Sequence, residues 1–328
     1  MKMKLNFVKV SILSTVLLLL NVSCCGKKSN SEAGVVENVI KHVYVIGIDG
    51  LSSEGLNKAE TPHLDRLIQN GALCDPVRTV LPSSSSPNWA SMLMGAGPEI
   101  HGITSNDWEL DKHDLEPVVT NDYGYFPTIV SVICAQRPGI KTGMLYHWDG
   151  FGRLFEPTLA DVDMNLPDEE KTADAVARYI KKEKPVFIFS QFDHVDGAGH
   201  HYGHMSQGYL DAISRMDSLV GIIMNAVHDA KIENETLIFV VSDHGGMDKG
   251  HGGTDWREVT VPFILSGAGV RKNFHVPVEV YMYDVAPTIV FALGMNAPYA
   301  WRGKAIECAF EGHEAPQDLL NMNRRKSF

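Results

Sequence analysis

The fold is decided by an apolar run that ends in a carboxylate, Val43-Tyr44-Val45-Ile46-Gly47-Ile48-Asp49-Gly50. Further apolar runs at residues 185–191, 236–242 and 261–266 predict strands of the same kind. Helical patterns lie among them, at residues 61–68, 172–182, 209–230 and 283–293. Alternating strands and helices are typical of a parallel sheet. The sequence therefore predicts an α/β fold with a central, mostly parallel sheet and helices on both faces.

The composition fits one large globular domain. Hydrophobic residues make up 44% of the 328 residues, which is enough to build a core, and no internal repeat is visible. The formal net charge is −11, so the surface repels phosphate backbones at long range. We therefore expect no nucleic acid polymer as a partner, whereas a small anionic substrate held by metal is compatible with this charge.

The N-terminal segment has the pattern of an export signal. Residues 1–23 combine Lys2, Lys4 and Lys9 with an apolar run too short to span a bilayer. Cys24 follows small residues, as in a bacterial lipoprotein signal, although an ordinary cleaved signal stays open. We expect export and a lipid anchor at Cys24, in the periplasm or outer membrane of a bacterium. A tether at residues 24–38, a catalytic domain at 39–310 and a tail at 311–328 complete the predicted organisation.

Three cysteines fall within the predicted domain, Cys74, Cys134 and Cys308, and their spacing matches no metal motif. We expect them to be small buried hydrophobic residues, with a single disulfide as an open alternative.

Candidate functional residues follow the predicted strands. Ligand sites in parallel sheets lie outside the carboxyl ends of the strands, where Asp49 and the pair Asp243-His244 are found. His251 comes shortly after His244, and glycines nearby allow tight turns. Carboxylate and imidazole groups together suit a metal of zinc's type.

A second group follows the strand at residues 185–191. Asp196 and His200 stand there among histidines and glycines. Gly197 and Gly199 argue against a regular helix, so we expect a loop to bring Asp196 and His200 together.

Serine is the candidate nucleophile. Ser85 precedes Ser86 and Pro87, which predict a helix that is capped by Ser86 and has Pro87 as its first residue. Ser85 would then lie at a helix N-terminus, where free amides favour an anion.

These residues can form two sites of three protein ligands each, as two-metal catalysis requires. Asp49, Asp243 and His244 would make one site, and Asp196, His200 and His251 the other. Ser85 beside the first metal would lose its proton readily and act as the nucleophile.

Several motifs together resemble the alkaline phosphatase superfamily, and within it the type I phosphodiesterase/nucleotide pyrophosphatase family. They are IGIDG (46–50), TPHLDRL (61–67), SSPNWASM (85–92), PEIHGI (98–103) with Asn106, the pair Asp196 and His200, SDHG (242–245) and DVAPTI (284–289). The resemblance covers nearly the whole predicted domain and implies an alkaline-phosphatase-like fold.

The resemblance implies two Zn²⁺ ions, with Ser85 as nucleophile and also as a ligand of the first ion. It also implies that Asn106 binds a phosphoryl oxygen. The histidine that completes the second site lies far downstream in nucleotide pyrophosphatases, whereas His251 is only seven residues beyond His244. His275 and His204 are therefore alternatives for this ligand.

The function predicted in this way is a zinc-dependent phosphodiesterase or nucleotide pyrophosphatase that forms a phosphoseryl intermediate and acts on a small phosphate ester. A phosphomonoesterase stays open, but no arginine close to Ser85 or Asn106 in sequence suggests a clamp for a monoester. A sulfatase is a weaker alternative because Trp89 stands where the sulfatase signature requires arginine. A lipoprotein that binds metal or phosphate without turnover is the alternative from another class.

Aromatic residues at 108–126 and 146–155 have two interpretations, either as pocket walls for the leaving group or as ordinary packing. They include Trp108, Tyr123, Tyr125, Phe126, Trp148 and Phe151.

Overall fold

A nine-stranded sheet forms the centre of the computed structural model, which describes residues 40–315. Its spatial order is β4-β3-β5-β1-β6-β7-β2-β8, and β9 also pairs with β2. The strands are β1 His42–Ile48, β2 Gly71–Arg78, β3 Thr142–Tyr146, β4 Val162–Asn165, β5 Phe187–Phe192, β6 Thr236–Val241, β7 Thr260–Gly267, β8 Phe274–His275 and β9 Val280–Tyr281.

All paired strands are parallel except β7, which runs antiparallel to both β6 and β2. The predicted α/β class with a mostly parallel sheet is therefore confirmed. The sequence prediction did not single out β7 as the reversed strand.

Strand β1 lies between β5 and β6, and each of its residues is buried. Side chains alternate between the two faces of a strand, and β1 divides its apolar residues accordingly. Val43 and Val45 belong to one core, whereas Tyr44, Ile46 and Ile48 belong to the core on the other face. A strand that is apolar on both faces requires cover on both sides, which explains the layered architecture.

Helices supply this cover. The α-helices of the described residues are α1 Ser53–Lys58, α2 Pro62–Gln69, α3 Ser85–Met94, α4 Pro98–His101, α5 Ile129–Gln136, α6 Glu169–Glu183, α7 His194–Tyr202, α8 Gln207–Asp229, α9 Trp256–Val259 and α10 Val285–Ala292. Buried residues of α3, α5 and α10 join the core of Val43, and those of α1, α2, α6 and α8 join the core of Tyr44. A 3-10 helix, Asp149–Arg153, follows β3.

The start of α3 differs from the prediction. The helix begins at Ser85, with Ser84 in the capping position and no side-chain capping bond, so Ser86 is not the cap. Proline is tolerated within the first turn, because the amides there have no partner inside the helix. Ser85 keeps its predicted place at a helix N-terminus.

Helix α3 approaches the sheet closely at Gly47. A Cβ at this position would lie 2.7 Å from the ring of Trp89, which is completely buried. Gly47 therefore allows the indole to lie directly over β1, beside Asp49.

Helix α7 is a correction, because residues 196–200 were expected to form a loop. Each glycine inside a helix costs about 0.5–1 kcal/mol relative to alanine, which packing against α8 can offset. Gly199 also has a packing reason, since a Cβ there would lie 2.6 Å from the ring of His204. Asp196 and His200 therefore come together as neighbours one helical turn apart.

Cys74, Cys134 and Cys308 are free thiols, and Cys74 and Cys308 are buried. Among the described residues, no helix is both long and apolar enough to cross a membrane. The predicted signal, the anchor at Cys24 and most of the predicted tail lie outside the described residues. The described residues all fall in one compact unit.

Candidate metal centre and active site

Asp49 and Asp243 follow the adjacent parallel strands β1 and β6, so their carboxylates meet at the carboxyl edge of the sheet. Both are fully buried. Asp49 Oδ2 accepts hydrogen bonds from the indole Nε1 of Trp89 and from Nε2 of Gln191, both at 3.0 Å. Asp243 Oδ1 accepts one from the backbone amide of Gly50 at 3.1 Å. Asp49 Oδ1 and Asp243 Oδ2 have no hydrogen-bond partner.

Both of these oxygens without a hydrogen-bond partner face His244. Its Nε2 lies 3.4 Å from Asp49 Oδ1 and 3.3 Å from Asp243 Oδ2. Its Nδ1 lies 2.8 Å from the carbonyl oxygen of Gly245, which can only accept, so Nδ1 carries the proton. Nε2 therefore presents a lone pair toward the carboxylates, which is a suitable geometry for a shared cation.

Ser85 joins this group from the N-terminus of α3. Its hydroxyl is buried and donates to His244 Nε2 at 3.3 Å. The predicted first site, Asp49, Asp243 and His244, is thus brought together with Ser85 beside it, and the ligand atoms of the first three lie within 4.8 Å of one another.

The predicted second site lies on α7 and the loop after β6. Asp196 Oδ2 is 3.1 Å from Nε2 of His200, and Asp196 Oδ1 is 3.8 Å from Nε2 of His251. The rings of His251 and His244 stack with centroids 3.6 Å apart, which brings the two groups into contact. Asp196, His244 and His251 also offer ligand atoms within 4.8 Å of one another.

Three histidines share one hydrogen-bonding pattern. Nδ1 of His200 faces the Lys249 carbonyl at 2.9 Å, and Nδ1 of His251 faces the Ser83 carbonyl at 3.0 Å, as Nδ1 of His244 faces Gly245. Histidines that bind metal usually donate one N–H to a carbonyl and bind the ion with the other nitrogen. The shared pattern is a physical sign of metal ligands.

The alternatives for the sixth ligand lie in other surroundings. His275 is in β8, and its Nε2 is bonded to the carbonyl oxygen of Asp75 at 3.1 Å. His204 is buried beside Gly199 and Gly246, and neither of its ring nitrogens has a hydrogen-bond partner. Burial lowers the pKa of His204 to about 4. Among the candidates His204, His251 and His275, His251 is the one whose Nε2 faces Asp196.

Burial dominates the electrostatics of the two carboxylates. It raises the pKa of Asp49 well above its usual value, and the charge of Asp243 raises it further. The pKa of Asp243 is also raised well above its usual value, by burial and then by Asp196. Burial also lowers the pKa of His244 to about 3, so this imidazole is neutral. Buried anions without a counter-charge are costly, and a cation among them would remove the cost.

The pKa of Asp196 is shifted in the opposite direction to those of Asp49 and Asp243, because Asp196 is hydrogen-bonded to His200. Burial raises the pKa of Asp196, but the hydrogen bond from His200 and the nearby imidazoles outweigh burial and bring it to about 2. The same hydrogen bond raises the pKa of His200 to about 9. Without a metal this pair is ionised, and a cation would take the place of the proton on His200 Nε2.

Asn106 lies close to the start of α3. Its Oδ1 accepts a hydrogen bond from the Ser86 amide at 2.8 Å, and only the oxygen of a carboxamide can accept from an N–H. The orientation of the side chain is therefore fixed, and Nδ2 has no acceptor among residues 40–315. The two N–H groups of Asn106 Nδ2, close to the start of α3, are therefore available for a ligand.

Most of the candidate aromatic residues are packing residues. Phe126 and Phe151 are almost completely buried, and Trp108 and Tyr125 are buried as well. Tyr123 is exposed, with 48% of its surface accessible. Three residues that support the site were not predicted from sequence. Gln191 and Trp89 donate to Asp49, and Arg153 donates to the carbonyl oxygen of Asn106. Gln191 is the last residue of the predicted strand at 185–191, so the rule that found Asp49 could have found it.

Solved structures share the fold of this chain. Human ectonucleotide pyrophosphatase/phosphodiesterase 5 superposes with a TM-score of 0.69 at 17% identity, covering 83% of this chain and 100% of that one. A putative sulfatase from Bacteroides thetaiotaomicron gives a TM-score of 0.67 at 14% identity, covering 84% and 75%. Both neighbours share the alkaline-phosphatase-like fold.

The family follows from the sequence match. Residues 43–259, more than half of the chain, match the family model for type I phosphodiesterase / nucleotide pyrophosphatase, and the chain belongs to this family. Human ectonucleotide pyrophosphatase/phosphodiesterase family member 1 is 26% identical over 219 residues, 63% of this chain and 23% of that protein. Bis(5'-adenosyl)-triphosphatase ENPP4 of Pongo abelii is 22% identical over 239 residues, 70% and 52% respectively. The chain thus spans about a quarter of the first of these relatives and about half of the second.

Proposed function

We propose that the protein is a two-metal phosphodiesterase that uses Ser85 as its nucleophile and acts on small phosphate esters. The observation that carries the proposal is the convergence of lone pairs beside the Ser85 hydroxyl. Carboxylate oxygens of Asp49, Asp243 and Asp196 have no hydrogen-bond partner, and they face imidazole nitrogens. Family membership supports the same reaction class.

The donor set fits two zinc ions. Asp49, Asp243, His244 and Ser85 would hold one ion, and Asp196, His200 and His251 the other, because zinc favours imidazole nitrogen and carboxylate oxygen. Cations at these places would act as Lewis acids that lower the pKa of the Ser85 hydroxyl and neutralise charge on the leaving oxygen.

The chain's own groups then define a two-step reaction. Ser85 Oγ loses its proton to solvent and attacks phosphorus, so that an Oγ–P bond forms while the bond to the leaving alcohol breaks. The N-terminus of α3 places the positive end of the helix dipole near the transferred group, and its Ser86 amide is bonded to Asn106 Oδ1. Water then breaks the Oγ–P bond and restores the Ser85 hydroxyl.

Asn106 would bind the transferred group through Nδ2. Because the Ser86 amide holds Oδ1, the two N–H groups are aligned before substrate binds, and donors arranged in advance stabilise charge that develops in the transition state.

A diester suits the site better than a monoester. A monoester dianion calls for a cationic clamp, and Arg153 is the arginine found next to Asn106. Its guanidinium is already bonded to the carbonyl oxygens of Asn106 and Trp108 and to Glu109. Phosphomonoesterase and sulfatase activities remain the alternatives, and a surface lipoprotein that binds metal or phosphate without turnover is the alternative from another class.

The test is hydrolysis by the zinc-loaded full-length protein of bis-p-nitrophenyl phosphate, p-nitrophenyl phosphate and p-nitrophenyl sulfate. We expect kcat/KM to be highest for the diester, and dominance of the monoester or the sulfate would overturn the diester assignment. Zinc bound without turnover of any of the three would favour the binding protein.

We also propose the predicted export, with a lipid anchor at Cys24 in the bacterial periplasm or outer membrane. Metabolic labelling with a radioactive fatty acid tests it. Cys24→Ser should lose a label that Cys25→Ser keeps, and equal labelling of the two variants would reject Cys24 as the anchor.

A further inference from the structure

Two contacts on different atoms hold Asn106 in place. The Ser86 amide bonds its side-chain oxygen, and Nη2 of Arg153 donates to its backbone carbonyl at 3.0 Å. Arg153 Nη1 also donates to the carbonyl oxygen of Trp108 at 3.4 Å and to Glu109 Oε1 at 2.7 Å. The guanidinium thus joins three acceptors along residues 106–109, a segment of turns in which Glu109 forms an isolated β-bridge with Lys112.

Arg153 is itself held by the 3-10 helix that ends with it. The Trp148 amide, just before this helix, donates to Oε1 of Gln191 at 3.0 Å. Gln191 Nε2 in turn donates to Asp49 Oδ2. Within the helix, Phe151 is completely buried and packs edge-on against Trp89, with centroids 5.7 Å apart.

The contacts close a ring around the site. It runs from Asp49 through Gln191 and the 3-10 helix to Arg153, and then to Asn106 and Ser86. Helix α3 completes it through the indole of Trp89, which returns to Asp49. The ring therefore includes a proposed metal ligand, the proposed phosphoryl donor and the helix that carries Ser85.

We propose that Arg153 is a positioning residue, which sets the distance and angle of the Asn106 carboxamide relative to Asp49 and Ser85. This inference rests on the proposed function for the role of Asn106. The placement of residues 106–109 by Arg153 can be measured without any substrate.

The guanidinium has a chemical reason to be at this position. It is planar and offers several N–H donors in a fixed fork, so one side chain can serve two carbonyls and a carboxylate together. Lysine carries a single nitrogen and would keep only part of these bonds. We therefore expect Arg153→Lys to behave as an intermediate between the wild type and Arg153→Met.

The chain provides a matched control in Arg271. Its guanidinium also bonds two carbonyl oxygens, of Phe310 and His313, and a carboxylate, that of Glu314. Arg271 follows β7, and its bonds join it to residues 310–314. Arg271→Met therefore removes the same kind of contact from a part of the molecule outside the ring.

The experiment measures hydrogen exchange by mass spectrometry and kinetics on the zinc-loaded full-length variants. Arg153→Met should speed exchange in peptides spanning residues 103–110, and Arg271→Met should leave these peptides unchanged. Arg153→Met should lower kcat for bis-p-nitrophenyl phosphate about 10- to 100-fold, because misplacement by 1 Å can cost about 100-fold. In an Asn106→Ala background, Arg153→Met should add less than about threefold, because coupled residues are not additive.

Unchanged exchange at residues 103–110 in Arg153→Met would overturn the placement of Asn106 by Arg153. If Arg153→Met lowers kcat as much in the Asn106→Ala background as in the wild type, Arg153 does not act through Asn106, and the inference is overturned. If the wild type hydrolyses no substrate, the proposed function fails separately, and the exchange data still decide whether Arg153 places this segment.

Discussion

The indole of Trp89 offers a direct way to test how the chain holds a metal ligand. Trp89→Phe removes one of the two hydrogen bonds to Asp49 Oδ2 and leaves the bond from Gln191. Bonds of this kind fix the orientation of a ligating carboxylate, and losing one typically costs about 10- to 100-fold in metal affinity. We expect this loss for zinc, which corresponds to about 1.4–2.7 kcal/mol of binding free energy.

A second tryptophan gives the control. Trp301 is also buried, and its Nε1 donates to the carbonyl oxygen of Pro127 at 2.8 Å. Trp301→Phe removes a similar ring and a similar hydrogen bond without touching Asp49. Zinc dissociation constants come from competition with a chromophoric chelator, and melting temperatures without metal report the packing loss. Equal zinc affinity in the two variants would show that the hydrogen bond from Trp89 does not contribute to zinc binding by Asp49.

Three further predictions concern the chemistry and the stability of the fold. Ser85→Ala should abolish turnover while plasma emission spectrometry still finds the wild-type zinc content, and retention of most activity would reject Ser85 as nucleophile. Asn106→Ala should lower kcat about 10²- to 10³-fold if its amide binds the transition state, and a change below threefold in steady-state assays would remove that role. Burial raises the pKa of Asp284 to about 6, so the folded state holds its proton more tightly than the unfolded chain does. Between the ordinary aspartate pKa and 6, stability should therefore fall as the pH rises, by up to about 1.4 kcal/mol per pH unit, and urea unfolding should show this slope reduced in Asp284→Asn.

The architecture could be predicted because its signals are local. The run that ends in Asp49 shows by composition alone that a strand is buried on both faces, and parallel strands place their carboxyl ends at one edge. The same property of parallel strands predicts that Asp49 and Asp243 lie close together. The reversed direction of β7 depends on which strands it joins, and a short apolar segment carries no sign of that.

The supporting residues could not be predicted for a related reason. Trp89 contacts Asp49, 40 positions away, and Arg153 contacts Asn106, 47 positions away. The sequence around Trp89 or Arg153 does not indicate either partner. The prediction of a loop at α7 was wrong because Gly197 and Gly199 both disfavour a helix, whereas packing accommodates them here and Gly199 makes room for His204. Local sequence shows what the backbone prefers, and packing decides whether that preference prevails.

Ser85 Oγ is the proposed nucleophile that attacks phosphorus. Stopping the reaction with bis-p-nitrophenyl phosphate in acid and mapping the modified peptide by mass spectrometry tests this role. We predict a p-nitrophenylphosphoryl group on Ser85, formed as one nitrophenolate leaves, and no such group in Ser85→Ala. Turnover at the wild-type rate with the modification on another residue, or sustained turnover by Ser85→Ala, would rule out Ser85 as the nucleophile.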